Sequence, residues 1–225
     1  IDILYEEEIE EIIGDDKIKS VRTNKQTYET DLLIVATGVR PNTQFLHKTE
    51  VMMEKNGAIQ VNKWMETNVE NIYAAGDCAL QYHRLTEKNN YIPLGTHANK
   101  QGRIAGLNMA GQSRSFKGIT GTSILKFMDV SLGKTGLSAR EAEDAAIPYL
   151  SVTIDAKNHA AYYPGAESLS VRLIFQRDSG LVLGGQVIGK TGVDKRTDVL
   201  AVAIFNKMTV EELEDLDLSY APPYN

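Results

Sequence analysis

A single cysteine, Cys78, stands among 225 residues. No disulfide can form within one such chain, which points to a reducing, cytoplasmic setting rather than a secreted scaffold. Long apolar runs are missing as well. A membrane helix needs about 18 consecutive apolar residues, and no stretch approaches that, so no membrane partner is expected. The opening IDILYEEEIE is acidic and alternating, unlike a signal peptide. Positive charge is in deficit: 24 Lys and Arg stand against 30 Asp and Glu, for a net charge of −6. That balance disfavours nucleic acid as a partner, because phosphate binding needs a basic surface. His47, His83, His97 and His159 show no ligand spacing with one another or with Cys78, so no metal is expected. There is no G-x-S-x-G nucleophile elbow. There is no G-x-G-x-x-G either, so the chain carries no dinucleotide fingerprint of its own.

What is present describes an ordinary globular chain. Hydrophobic residues make up 42% and the mean hydropathy is −0.26. At roughly 150 residues per domain, the length corresponds to about one and a half domains. Residues 1–35 read as an antiparallel meander turning at Gly14-Asp15-Asp16. Asp31 then opens the apolar run Leu32-Leu33-Ile34-Val35-Ala36, which suits a strand buried on both faces. Short strands are expected at 58–62 and at 71–75, the latter closed by Gly76-Asp77-Cys78. A helical pattern runs from about Thr96 to Met109, with Gly111 as its stop. Beyond residue 113 a hairpin is followed by three further strands, YLSVTID, SVRLIF and GLVLGGQVIG. Ser138–Glu141 and Thr209–Glu212 are capping boxes, and TDVLAVAIFNKM is helical. This second half predicts a mixed sheet with helices to one side, an α+β pattern.

Five local signals bear on chemistry. Gly184–Thr191 matches the P-loop pattern G-x-x-x-x-G-K-[ST]. Yet Gln186-Val187-Ile188 continue the alternation of Leu181-Val182-Leu183, and Gly192 delays the following helix. The segment therefore reads as a glycine-rich strand rather than a phosphate cradle. Asp77, at the end of a short strand, is either a turn residue or an acceptor for the hydroxyls of a sugar-like chain. The helix after Pro93-Leu94-Gly95 either simply packs or offers its N-terminal amides to a negative ligand. Tyr162-Tyr163-Pro164-Gly165 and Tyr220-Ala-Pro-Pro-Tyr224 are rigid aromatic segments, suited to an interface or to a packed chain end. Lys190, Lys195 and Arg196 form a local basic stretch, either a solvated turn or a contact for a small phosphorylated ligand.

Taken in order, ATGVRPN (36–42), ETNVENIYAAGDCA (66–79), IPLGTHANKQGRIAG (92–106), YYPG (162–165), GKTGVDKRTDVL (189–200) and LSYAPPY (218–224) resemble the flavin-dependent pyridine nucleotide-disulfide reductases. The YYPG and YAPPY pair is similar to the coenzyme A-disulfide reductase branch, with its related NADH oxidases and persulfide reductases. The resemblance implies a C-terminal portion of such an enzyme. Residues 1–35 would be a remnant of the NAD(P)H-binding domain. Residues 36–112 would be the returning half of the FAD-binding domain, with part of its α/β sheet. Residues 113–225 would be an α+β dimerisation domain forming a homodimer. The amino-terminal FAD fingerprint, the redox-active cysteine and the nicotinamide fingerprint of a full member are not in the sequence.

The same resemblance implies roles for individual residues. Thr37, Gly38, Gly76, Asp77, Leu94, Gly95, Thr96, Ala98 and Tyr220 would contact FAD, with Asp77 on the ribityl chain. Asn99 would lie near flavin and thiol substrate. Tyr162 and Tyr220 would form the catalytic pair that one subunit lends to the other, stabilising a departing coenzyme A thiolate. Lys190, Lys195 and Arg196 would neutralise coenzyme A phosphates, and Cys78 would be a buried structural thiol. FAD is the implied cofactor, NADH or NADPH the co-substrate, and a coenzyme A disulfide or persulfide the substrate. The chain by itself would then lack turnover. A non-catalytic dimerisation module and, more remotely, a P-loop nucleotide hydrolase are the alternatives.

Overall fold

The computed structural model describes residues 2–225; Ile1, the first residue of the segment assigned to the nicotinamide domain, lies outside them. The described residues divide after Val39 into two compact units. The first is the expected meander: β1 (Ile9–Gly14), β2 (Ile18–Thr23) and β3 (Thr27–Glu29) pair antiparallel in that order. Arg22 on β2 reaches back to Glu10 and Glu11 on β1, an exposed cross-strand pairing. The run Leu32–Ala36 is not a strand. It has no regular secondary structure and no ladder partner, and Leu32, Ile34 and Val35 are exposed. A strand buried on both faces needs neighbours to hydrogen-bond and to cover it, and among the described residues none pairs with this run.

The second unit, residues 40–225, opens with irregular chain. The strands expected at 58–62 and 71–75 are reduced to single bridges, Ile59 with Met53 and Ala79, and Tyr73 with Glu66. Turns follow within a few residues on either side, so no ladder can extend. Packing holds the region instead: Val51, Ile59, Ala74 and Ala79 form one buried cluster. Met65, Ala105, Phe116 and Ile119 form another. A two-stranded ribbon, β4 (Gln81–His83) with β5 (Lys88–Asn90), leads to helix α1 (Gly95–Met109). The positive φ of Gly111, 80°, stops the helix as expected.

The remaining residues build a five-stranded sheet in the order β6-β7-β10-β9-β8. Its strands are β6 (Ser123–Phe127), β7 (Val130–Gly136), β8 (Tyr149–Lys157), β9 (Ser168–Gln176) and β10 (Val182–Gly189). Every pairing is antiparallel, so the sheet is not mixed. Gln186, Val187 and Ile188 lie within β10, which removes the loop a P-loop requires. Both capping boxes form, starting α2 (Ala139–Asp144) at Ser138 and α4 (Val210–Glu214) at Thr209.

Helix α3 (Val193–Phe205) lies against β7 and β10. It buries Val193, Thr197, Leu200, Ala203 and Ile204, one helical face. The glycines beneath it permit that approach. A Cβ on Gly133 would sit 2.0 Å from Thr197 Oγ1, and one on Gly185 would sit 2.5 Å from Leu200 Cδ1. On the opposite face, the register lines up Leu125, Leu132 and Ile188 in one row. These three and Phe127 remain exposed in the single chain.

Candidate functional site

The Gly76-Asp77 turn and helix α1 are held together by one side chain. Gln101 is fully buried on α1. Its Oε1 accepts the Gly76 amide at 2.9 Å and its Nε2 donates to the Leu80 carbonyl at 2.9 Å. A buried amide side chain must satisfy both ends, and here it does so by bracketing the turn. Gly76 has φ 87°, a conformation that L side chains rarely adopt, and a Cβ there would meet Ala98 Cβ at 3.5 Å. The backbone of the turn therefore rests directly on α1.

That arrangement leaves Asp77 exposed beside the helix start. Its charge is felt by two neighbours. Burial, with help from Asp77 and Cys78, pushes the Tyr91 phenol up. Burial lowers His97, against the raising effects of its Ile92 carbonyl contact and Asp77. The helix start itself is uncapped. Leu94 is the N-cap in extended geometry, no side chain caps it, and the first turn holds no acidic residue. The amides of His97 and Ala98 return to Leu94 O, while Gly95 and Thr96 are exposed. Their amides and the positive end of the helix dipole are available to an electron-rich ligand. Asn99 is exposed one turn on, whereas Leu94 and Ala98 are half-buried.

A carboxylate that accepts hydroxyls, a glycine turn that admits close approach and an open helix N-terminus form a donor and acceptor set that fits FAD, with its polyol chain and electron-accepting ring. Thr37 and Gly38 belong to the first compact unit, where both are exposed. Cys78 is half-buried rather than buried. Its thiol donates to the Ala75 carbonyl at 3.4 Å, and the side chain packs against the cluster of Val51, Ile59, Ala74 and Ala79.

A second group forms on the five-stranded sheet. Tyr162, in the loop between β8 and β9, meets Tyr220, in the segment after α4. Both phenols are exposed, and the neighbouring Tyr220 hydroxyl pushes the ionisation of Tyr162 up. The two phenols are thus neighbours within one chain. The basic stretch is arranged differently from an open phosphate contact. Lys190 pairs with Asp129 at 3.2 Å and Glu167 at 3.9 Å, and Asp129 holds its ammonium above the usual range. Lys195 Nζ donates to the Tyr224 carbonyl at 2.5 Å and to Asn225 Oδ1 at 3.1 Å. Arg196 bonds the carbonyls of Gly192 and Asn158 and the side chain of Asn225. All three cations are engaged by the protein's own acceptors.

Two models of one family cover nearly the whole chain: the pyridine nucleotide-disulphide oxidoreductase model matches residues 1–102 and its dimerisation-domain model residues 122–225. The chain belongs to the pyridine nucleotide-disulphide oxidoreductases. Within the family it falls in the branch of coenzyme A disulfide reductases, NADH oxidases and persulfide reductases. It is 37% identical to an NADH oxidase of Methanocaldococcus jannaschii over 99% of this chain and 49% of the relative. It is 34% identical to a coenzyme A disulfide reductase of Staphylococcus aureus strain Newman, over 93% and 49%. A solved NAD-dependent persulfide reductase from A. fulgidus superposes with a TM-score of 0.93 at 37% identity, over 97% of this chain and 41% of that one. The chain spans about half the length of the curated relatives it matches.

Gln101 lies within the motif IPLGTHANKQGRIAG (92–106), yet the sequence reading gave it no role. The signal for it was nonetheless present. His97, Gln101 and Ala105 recur every fourth residue on one helical face, and a glutamine on a buried stripe demands partners.

Proposed function

We propose that this oxidoreductase chain supplies half of an FAD site and the thiolate-stabilising tyrosines of an NAD(P)H-dependent coenzyme A disulfide or persulfide reductase. The observation that carries this reading is the Gln101 clamp, which sets an open helix N-terminus beside an unencumbered aspartate. In the proposed division, residues 1–35 belong to the NAD(P)H-binding domain, 36–112 to the FAD-binding domain and 113–225 to the dimerisation domain.

FAD, when bound, would accept two electrons from NAD(P)H and pass them on toward the disulfide. The work of this chain is to bind and orient. Asp77 accepts hydroxyls of the ribityl chain. The amides of Gly95 and Thr96 donate to the electron-rich edge of the ring and favour negative charge there. Gly76, Leu94 and Ala98 shape the floor. Asn99 approaches flavin and substrate. In the net reaction NAD(P)H, a proton and a disulfide give NAD(P)+ and two thiols. The Tyr162 and Tyr220 hydroxyls donate hydrogen bonds to the departing thiolate and keep their protons, and Tyr220 flanks the flavin. The exposed row Leu125, Leu132 and Ile188 is an apolar patch suited to a second copy, through which the pair is lent to the partner's site.

In the full-length protein, Tyr162→Phe and Tyr220→Phe are expected to lower disulfide turnover about tenfold or more while flavin reduction by NAD(P)H persists. Equal turnover in both variants would remove the proposed role. The chain alone is expected to show no NADH-dependent disulfide reduction, because neither a redox cysteine nor a nicotinamide fingerprint is in its sequence. A second reading, oxygen as acceptor, is favoured by the 37% identity to the NADH oxidase; NADH consumption under oxygen against NADH consumption with coenzyme A disulfide separates the two.

A further inference from the structure

The tyrosine pair is made from two segments that are remote in sequence and lightly packed. Leu218, Tyr220 and Tyr224 are 51%, 69% and 68% exposed. Their segment borders a pocket of 530 Å³ lined by Val199, Leu200, Leu213 and Leu218, among others. Apolar packing therefore does little to hold Tyr220 in place, and hydrogen bonds must do so.

Lys195 holds the Tyr220 segment at Tyr224 and Asn225, and Arg196 ties it to the Tyr162 loop. One guanidinium nitrogen, Nη2, donates to the Asn158 carbonyl at 2.7 Å and to Asn225 Oδ1 at 3.1 Å. Asn158 is the buried foot of the Tyr162 loop. Its amide donates to the Glu167 carbonyl at 3.0 Å, and its Oδ1 accepts the Glu167 amide at 2.8 Å, which closes the loop at its base. Asn225 serves the other segment. Its Nδ2 donates to the Ser219 carbonyl at 2.7 Å, immediately before Tyr220. The other nitrogen, Nη1, donates to the Gly192 carbonyl at 3.2 Å and anchors the guanidinium to the start of α3.

We propose that Arg196 is a positioning residue that sets the Tyr162–Tyr220 pair by holding Asn158 and Asn225 on one guanidinium. The inference rests on the proposed role of the pair in thiolate departure. A planar fork with several fixed donors suits this task, whereas the point charge of a lysine does not supply the same directions. Gly192 belongs to the device. A Cβ at residue 192 would sit 2.6 Å from Nη1 of Arg196, and its φ of 76° is glycine-like. A side chain there displaces the guanidinium without removing its charge.

The test places a difluorinated tyrosine, whose phenol titrates near neutrality, at position 162 of the chain and follows it by fluorine NMR against pH. Tyr220→Phe defines the signature of an uncoupled Tyr162. Arg196→Met is expected to reproduce that signature, and Gly192→Ala to shift the titration in the same direction. Asn225→Ala removes the bonds of Arg196, Lys195 and Ser219 to that side chain but leaves the Arg196 bond to Asn158, and is expected to act likewise, so a misfolded Arg196→Met leaves the question answerable. Folded variants that titrate as the parent does would overturn the proposal. So would a Tyr220→Phe chain in which Tyr162 titrates unchanged, since no pair would then exist to position. The role of the pair in thiolate departure is scored separately, by disulfide turnover of the two Tyr→Phe variants in the full-length reductase.

Discussion

The Gly76 amide donates to Gln101 Oε1 at 2.9 Å, across 25 residues of chain. This bond, with its companion to Leu80, couples the placement of Asp77 to the placement of α1. Removing the side chain would leave a buried amide and a buried carbonyl without partners, at about 1–3 kcal/mol each. Gln101→Ala is therefore expected to destabilise the chain by at least about 2 kcal/mol. The midpoint of a urea transition checks this. In the full-length protein the same variant should also lose FAD.

Asp77 is the converse case. It is exposed, so Asp77→Ala is expected to change stability by no more than about 0.5 kcal/mol. FAD retention after gel filtration of the full-length protein should nevertheless fall. A stable variant that keeps its flavin would remove Asp77 from the proposed site.

The close approach of α3 to the sheet makes Gly133 sensitive to a single methyl group. With a Cβ placed 2.0 Å from Thr197 Oγ1, Gly133→Ala is expected to cost on the order of 1–3 kcal/mol. Thr197→Ala in the same chain should recover part of that loss, because it removes the clashing hydroxyl. A double-mutant cycle by thermal unfolding reads the coupling.

Acid should weaken the second unit before its carboxylates titrate. His83 and His97 are both buried. Burial lowers His83, against Glu141 and in line with Lys134 and His97; burial lowers His97 as well. A histidine whose folded value lies below its unfolded one contributes full stability above the unfolded value of 6.5. That contribution is lost as pH falls from 6.5 toward the depressed folded value. The thermal midpoint is expected to drop between about pH 7 and pH 5, and His83→Gln should flatten this dependence. Glu141 acts lower down. Burial opposes its ionisation, but Lys134 and Ser138 outweigh burial and hold the carboxyl below its ordinary value of 4.5. Its contribution is therefore present above 4.5 and lost below it.

The exposed apolar row gives the last expectation. Leu132→Lys places a charge among Leu125, Phe127 and Ile188, and should shift a dimer toward monomer in sedimentation velocity. Leu132 is 38% exposed in the single chain, so the monomer's own stability should change little.

Much of this molecule was legible locally. The meander of β1 to β3, helix α1 with its stop at Gly111, the two capping boxes and the strands β6 to β10 follow from patterns only a few residues long. Alternation, helical periodicity and caps are short-range physics, so one sequence suffices to read them. The same holds for the P-loop match, whose β-branched centre already marked it as strand. The order of the six motifs, likewise a property of the sequence alone, pointed to the family, and the YYPG and YAPPY pair to the branch.

Tertiary structure decided the rest. Leu32–Ala36 has the composition of a buried strand, yet a strand exists only where neighbours pair with it, and composition does not supply neighbours. Residues 58–62 and 71–75 do find neighbours, but turns on either side hold them to single bridges. Lys190, Lys195 and Arg196 are basic in any reading, but only the fold sets Asp129, Glu167, Asn158 and Asn225 against them. Gln101 bracketing Gly76 and Arg196 joining the two tyrosine segments are contacts across 25 to 38 residues. Such contacts depend on how whole elements pack, and no local pattern encodes that.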